Sequence, residues 1–308
     1  SDPSNPVLGQ VWYNSTSNVV KAQSFNLGSW STSGALNTAR DGLSGAGTQT
    51  AALAFGGEPP NYLAVTEAYN GSTWTEVNDL TTARATLAGA GTQTAALAFG
   101  GFTNPPVLRE PKTELWNGTN WTEVADLNTG RNNLAGAGIQ TAAIATGGIS
   151  ASGVANETET WNGTSWSEVA NLNTTRSQLA AAGTKTAALA FGGDAPGSSP
   201  EDFAGTETWN GTSWTEVNDL NTARSQLAGA GITTSALAFG GVNGPGRQKV
   251  TESWNGTNWT EVNDINTETS ALGGAGIQTA ALAFGGFPVT GATEEWNIGP
   301  QTITFTDS

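Results

Sequence analysis

The sequence predicts an all-β chain, a six-bladed β-propeller with four-stranded antiparallel blades, and three observations predict it. Gly-Gly pairs recur at Gly56-Gly57, Gly100-Gly101, Gly147-Gly148, Gly192-Gly193, Gly240-Gly241 and Gly285-Gly286, 44 to 48 residues apart. That period suits four strands and one loop of variable length. Each unit, for example Thr206–Gly241, contains four short strand-like runs. The two ends of the chain are broken units that complement each other. A seven-bladed ring is the alternative, but it needs a further pair of inner strands that the sequence does not supply.

The first run of each unit is small, as in Ala88-Gly89-Ala90-Gly91. Inner strands of adjacent blades converge on the axis, where only small side chains fit. The second run, such as Thr94–Phe99, is apolar on both faces, because a blade packs against neighbours on both sides. A Pro-, Gly- and polar-rich stretch of differing length follows each Gly pair and reads as a loop. The third run ends in Tyr69, Trp116, Trp161, Trp209, Trp254 or Trp296. An Asn-Gly turn usually follows. Five residues on stands a second Trp: Trp74, Trp121, Trp166, Trp214 or Trp259. Both aromatics then lie on one face of the hairpin and cover the edge of a neighbouring blade.

The ends depart from this order. Residues 1–21 form a Pro-punctuated lead-in and a hairpin over Gly9–Asn14 and Asn18–Lys21; residues 22–308 form the propeller. Ala22–Trp30 aligns with TETWNGTSW, Phe25 standing for the first Trp. The last unit has Trp296 but lacks a second Trp. Its third strand is therefore expected to pair with an N-terminal outer strand around Trp30, which removes the open edge of the ring.

The composition narrows the chemistry. Without Cys or His there is no thiolate, no imidazole base and no imidazole metal ligand. A net charge of −15 disfavours nucleic acid and anionic membrane as partners. No apolar run is long enough to span a bilayer as a helix. The chain has no Met, so it reads as a processed product or a fragment of a longer protein. The Asn-x-Ser/Thr sequons coincide largely with the turns, which already explain them.

The order Arg, inner strand, apolar strand, Gly-Gly, variable loop, Glu-x-aromatic, Trp resembles the kelch repeat from about Ala22 to Trp296. Trp for the usual Tyr, and Thr146 where other units have Phe before the Gly pair, are departures of packing. NTARSQLAGAG…TQTAALAFGG and GQVWYNSTSNVVK also resemble segments of tail or appendage proteins of marine bacteriophages. That resemblance implies a structural or host-contacting role on a virus particle, with other virion proteins as partners and an extracellular location. It carries over no binding residues.

Two sets of repeated charges invite a site. Arg40, Arg84, Arg131, Arg176 and Arg224 share one position, with Thr269 in the sixth unit; Glu67, Glu114, Glu159, Glu207, Glu252 and Glu294 share another. Since nearly every blade has both, they are expected to pair within their own units and build the scaffold. Adjacent carboxylates such as Glu201-Asp202 and Glu294-Glu295 point to opposite faces of a strand and do not make a glycosidase pair. Asp79, Asp126, Asp219 and Asp264 are oxygen ligands in type, but turn or cap chemistry fits them better than Ca²⁺. No enzyme, cofactor or metal is expected. The variable loops remain: emerging on one face, they form a rim suited to binding. Its candidate ligand-binding residues are Tyr62, Phe102, Arg109, Phe203, Arg247 and Phe287. The aromatics suit stacking on sugars, and the Arg residues suit the carboxylates of acidic glycans. The expected function is non-enzymatic attachment of a virion appendage to a host-surface glycan or receptor. A purely structural virion component and a secreted lectin are the alternatives, and homo-oligomerisation through the Gly9–Lys21 hairpin is a further expectation.

Overall fold

A computed structural model describes residues 2–4, 10–25, 28–103, 108–197 and 202–305. Gly9 and Glu201, named above, lie outside these residues. Six four-stranded antiparallel sheets make the six blades. Blade two, for example, runs Ala88–Thr92, Ala95–Phe99, Thr113–Trp116 and Trp121–Glu123 from the axis outward. Blade six takes Gly273–Ile277, Ala280–Phe284 and Thr293–Asn297 from the C-terminal part and Ser29–Ser33 from the N-terminal part. Trp30 pairs directly with Trp296, as the broken units predict.

The core consists of layers between blades. The Phe ending five of the six second strands packs on the outer Trp of the next blade: Phe55 on Trp121, Phe99 on Trp166, Phe191 on Trp259, Phe239 on Trp30 and Phe284 on Trp74, with ring centroids 4.9–5.0 Å apart. Each outer Trp indole donates to a Thr hydroxyl on the third strand of the preceding blade. Trp121 bonds Thr66 at 3.1 Å, Trp166 bonds Thr113 at 2.9 Å, and Trp30 bonds Thr251 at 3.1 Å. Burial of the ring and satisfaction of its N–H thus come from the same neighbour. The two aromatics of each hairpin are cross-strand partners, as Trp116 and Trp121 show. In the intervening turn Asn117 Oδ1 accepts from the N–H groups of Thr119 and Asn120, while Gly118 alone takes positive φ (92°). Asn supplies an Asx cap there.

The inner strands carry Gly where the preceding blade's Phe arrives. A Cβ on Gly136 would stand 2.5 Å from Phe99 Cζ, and one on Gly229 the same distance from Phe191 Cζ. The one Ala in this column is Ala181, and the blade before it has Thr146 in place of Phe. Thr146 Oγ1 instead hydrogen-bonds Thr158 Oγ1 at 2.8 Å. The two departures compensate each other. Thr146→Phe alone is expected to overpack the interface and cost about 1–3 kcal/mol. Adding Ala181→Gly should recover most of that loss, a coupling that a double-mutant cycle in urea would measure.

Tyr69 occupies the Trp position of blade one and ties it to blade six. Its hydroxyl donates to Glu295 Oε1 at 2.5 Å and also meets Ser33 Oγ. Burial, and then the bond to Glu295, push the phenol from 10.0 up to about 12. The folded state therefore holds this proton more tightly than the unfolded state. Its contribution is complete below pH 10 and is lost as the pH rises to about 12. Tyr69→Phe is expected to flatten that alkaline fall in an unfolding titration.

Outside the ring, Val11–Asn14, Val19–Phe25 and Pro300–Phe305 make a separate three-stranded sheet. The predicted hairpin is present, with Val11 opposite Ala22. The alignment of Phe25 with a blade Trp does not hold: Phe25 pairs with Pro300 in this sheet, and Trp296 fills the blade position. The five-residue spacing from Phe25 to Trp30 matches that of the blade aromatics, and sequence similarity alone does not separate it from the true pair.

Candidate ligand-binding face

The loop entering each inner strand and the loop leaving each second strand meet at the same end of the propeller. Isolated bridges tie them together, as Ala85–Phe102, Asn132–Ile149 and Ser270–Phe287 show. The variable loops therefore share one face. Three of them fold into two-stranded ribbons: Phe102–Thr103 with Leu108–Arg109, Ile149–Ser150 with Gly153–Val154, and Val242–Asn243 with Gly246–Arg247.

The six residues singled out from the sequence are distributed around this rim. Tyr62 and Phe102, from blades one and two, meet edge-on with centroids 5.8 Å apart. Arg247 lies over Phe287, its guanidinium carbon 5.4 Å from the ring centroid, and joins blades five and six. Phe203 covers the buried Arg176 at 5.5 Å. Arg109 is exposed, and Phe287 is 50% exposed. Three local groupings result, and the geometry does not bring the six residues into one cluster.

The repeated charges belong to the scaffold. Arg84, Arg131 and Arg176 each reach the Glu of their own blade at 3.0 Å, Arg224 reaches Glu252 at 3.2 Å, and Arg40 pairs with Glu67. All five guanidinium groups are fully buried. Burial pushes their pKa values down from the usual guanidinium range, in Arg176 and Arg224 to about 10, against the pull of the Glu partners. They remain charged at neutral pH. Each Glu also accepts from the loop entering its blade: Glu159 takes the N–H and side-chain amide of Asn128, both at 2.8 Å, and the N–H of Thr129.

The recurring Asp residues cap the third strand. Asp79, Asp126, Asp219 and Asp264 accept from the N–H of Thr66, Thr113, Thr206 and Thr251 at 3.1–3.2 Å, and Asn171 does the same for Thr158. Among the described residues no group of three or more His, Cys, Asp or Glu is placed to hold a metal.

Sequence reasoning missed the end of the central channel. A cavity of about 170 Å³ on the axis is lined by the inner strands and by Gly42, Thr86, Asn133, Gln178, Gln226 and Ala271. These six residues form a closed ring, each N–H donating to the carbonyl of its predecessor at 2.7–2.9 Å. All six have φ between 52° and 60°. Glycine meets that geometry without strain, yet only Gly42 is glycine. The other five hold a side chain in the left-handed region, at about 1–2 kcal/mol each. Thr86, Asn133, Gln178 and Gln226 make a neutral polar arc over blades two to five, and Gly42 and Ala271 leave blades one and six open. The signal was in the sequence: this column reads Gly, Thr, Asn, Gln, Gln, Ala between the constant Arg and Leu of most units.

The same face carries acidic groups beside the ring. Asp41 and Glu58 pair through their backbones on blade one. Burial pushes both carboxyls up, and in Glu58 the Asp41 charge adds to it. Neither residue lines the channel cavity. Family models and curated proteins offer no match to this chain.

Proposed function

We propose that the protein is a non-enzymatic, kelch-like appendage of a virion that attaches to a host-surface ligand through the variable face, with a glycan as the ligand class. The observation that carries this reading is the distribution of variation. At the opposite end the turns are near-copies, Asn-Gly after the third strand in most blades and Gln-Thr after the inner one in four. At the variable end, loop length, loop sequence and the channel ring all differ between blades. Side chains held in the left-handed region at a cost are characteristic of binding surfaces, and of the five in the channel ring Gln178 and Thr86 also bond to neighbouring loop groups, Asp194 and Ala85.

The composition of this face favours a neutral, hydroxyl-rich ligand over an acidic one. Amide and hydroxyl side chains surround the channel end, Asp41 and Glu58 stand beside it, and Arg247 is engaged with Phe287. A glycan array probed with the full chain tests the reading. Binding to neutral polysaccharides of a host surface is expected, and the absence of binding to any of them would remove the receptor function. One observation favours the structural alternative: Val11, Tyr13 and Val20, on the three-stranded sheet outside the ring, are 63%, 59% and 42% exposed. That apolar face suits contact with another subunit, the expected route to oligomers.

A further inference from the structure

Blade six differs from the other five at one buried position, and the difference leaves a cradle of acceptors. In blade two, Arg84 donates to Glu114 Oε1 at 3.0 Å and to the carbonyls of Lys112, Gly100 and Ala98 at 2.7, 3.1 and 3.4 Å. Arg176 repeats this with Glu207, Gly205, Gly192 and Ala190. In blade six the position belongs to Thr269, whose hydroxyl donates only to Phe287 O, at 3.4 Å.

The acceptors themselves are retained. Glu294 stands opposite Ala283 as Glu114 stands opposite Ala98, and Gly285 N–H bonds Ala292 O as Gly100 N–H bonds Lys112 O. Glu294, Ala283, Gly285 and Ala292 all line one cavity of about 10 Å³, together with Thr269 and Thr290. That volume accommodates a group the size of a water molecule. Glu294 is only 5% exposed. It accepts from the N–H of Thr267 at 3.0 Å and from Asn266, but among the described residues it has no cationic partner. A buried carboxylate with carbonyls converging beside it is a site for a donor-bearing cation. Thr290 lies in the loop leaving the second strand and is partly exposed, so the cavity belongs to the variable face.

We propose that this cavity binds a water-sized N–H-bearing cation, an ammonium group, in the place that the Arg head group fills in the other blades. The proposal stands independently of glycan attachment. Thermal unfolding of the full chain at constant ionic strength tests it, with tetramethylammonium chloride replaced by ammonium, guanidinium or potassium chloride in the millimolar range. The expected result is a saturable rise of a few degrees with ammonium, and smaller ones with potassium, which donates no hydrogen bond, and with guanidinium, which is larger than the cavity. Thr269→Arg should raise the midpoint without added cation and abolish the response. Glu294→Gln should abolish the response whatever it does to the midpoint. Equal responses in wild type and Glu294→Gln, no response in wild type, or a response to potassium as large as that to ammonium would overturn the proposal.

Discussion

Glu159→Gln is expected to destabilise the protein by about 3–5 kcal/mol, because it leaves the Arg131 charge fully buried without its counter-ion. The N–H groups of Asn128 and Thr129, which also end on this carboxylate, lose their charged acceptor. Arg131→Met is expected to cost less, about 1.5–3 kcal/mol, since Glu159 keeps those donors and loses one charged partner. Urea unfolding of the two variants measures the order, and a larger loss for Arg131→Met would contradict it.

Trp30→Ala is expected to cost about 3–5 kcal/mol and also to change the association state of the protein. Trp30 packs on Phe239 at 5.0 Å and on Trp296 at 5.5 Å, and its indole bonds Thr251. Trp166→Ala removes comparable contacts within a blade built from consecutive chain, and its cost should be similar. Only at Trp30 does the damage fall on the strand that closes the ring. Its loosening frees the edge of Thr293–Asn297 for another chain. Light scattering should therefore show larger, concentration-dependent species for Trp30→Ala than for the wild type, and no such increase for Trp166→Ala.

The scaffold was legible in the sequence because repetition turns geometry into columns. The Gly pairs, the inner Gly run and the paired aromatics each sit where one side-chain size or one backbone conformation is tolerated. The closing strand was legible because one end lacked a Trp that the other end supplied. Phe25 stands five residues before Trp30, the spacing of the paired blade aromatics, whereas the blade's own third strand, Thr293–Asn297, comes from the other end of the chain; only backbone pairing tells the two apart. The channel ring went unnoticed for a different reason. Its residues lie within the constant stretch between Arg and Leu, and the requirement for positive φ shows only in the backbone. Aromatic and Arg side chains in the loops drew attention by type, whereas their neighbours decide their roles: Phe203 shields a scaffold Arg, and Arg247 is held over Phe287.

The proposed function assigns binding to the non-repeated side chains of one face and the fold to the repeated ones. Replacing Thr86, Asn133, Gln178 and Gln226 together by Gly tests it most directly. Glycine accepts the φ of 53–57° found at these positions, so the fold should be retained and any relief of strain should favour stability. With the polysaccharide selected on the array as probe, a loss of affinity of at least about tenfold, equal to about 1.4 kcal/mol, is expected, with no fall in unfolding midpoint. Unchanged affinity in a folded quadruple variant would contradict it.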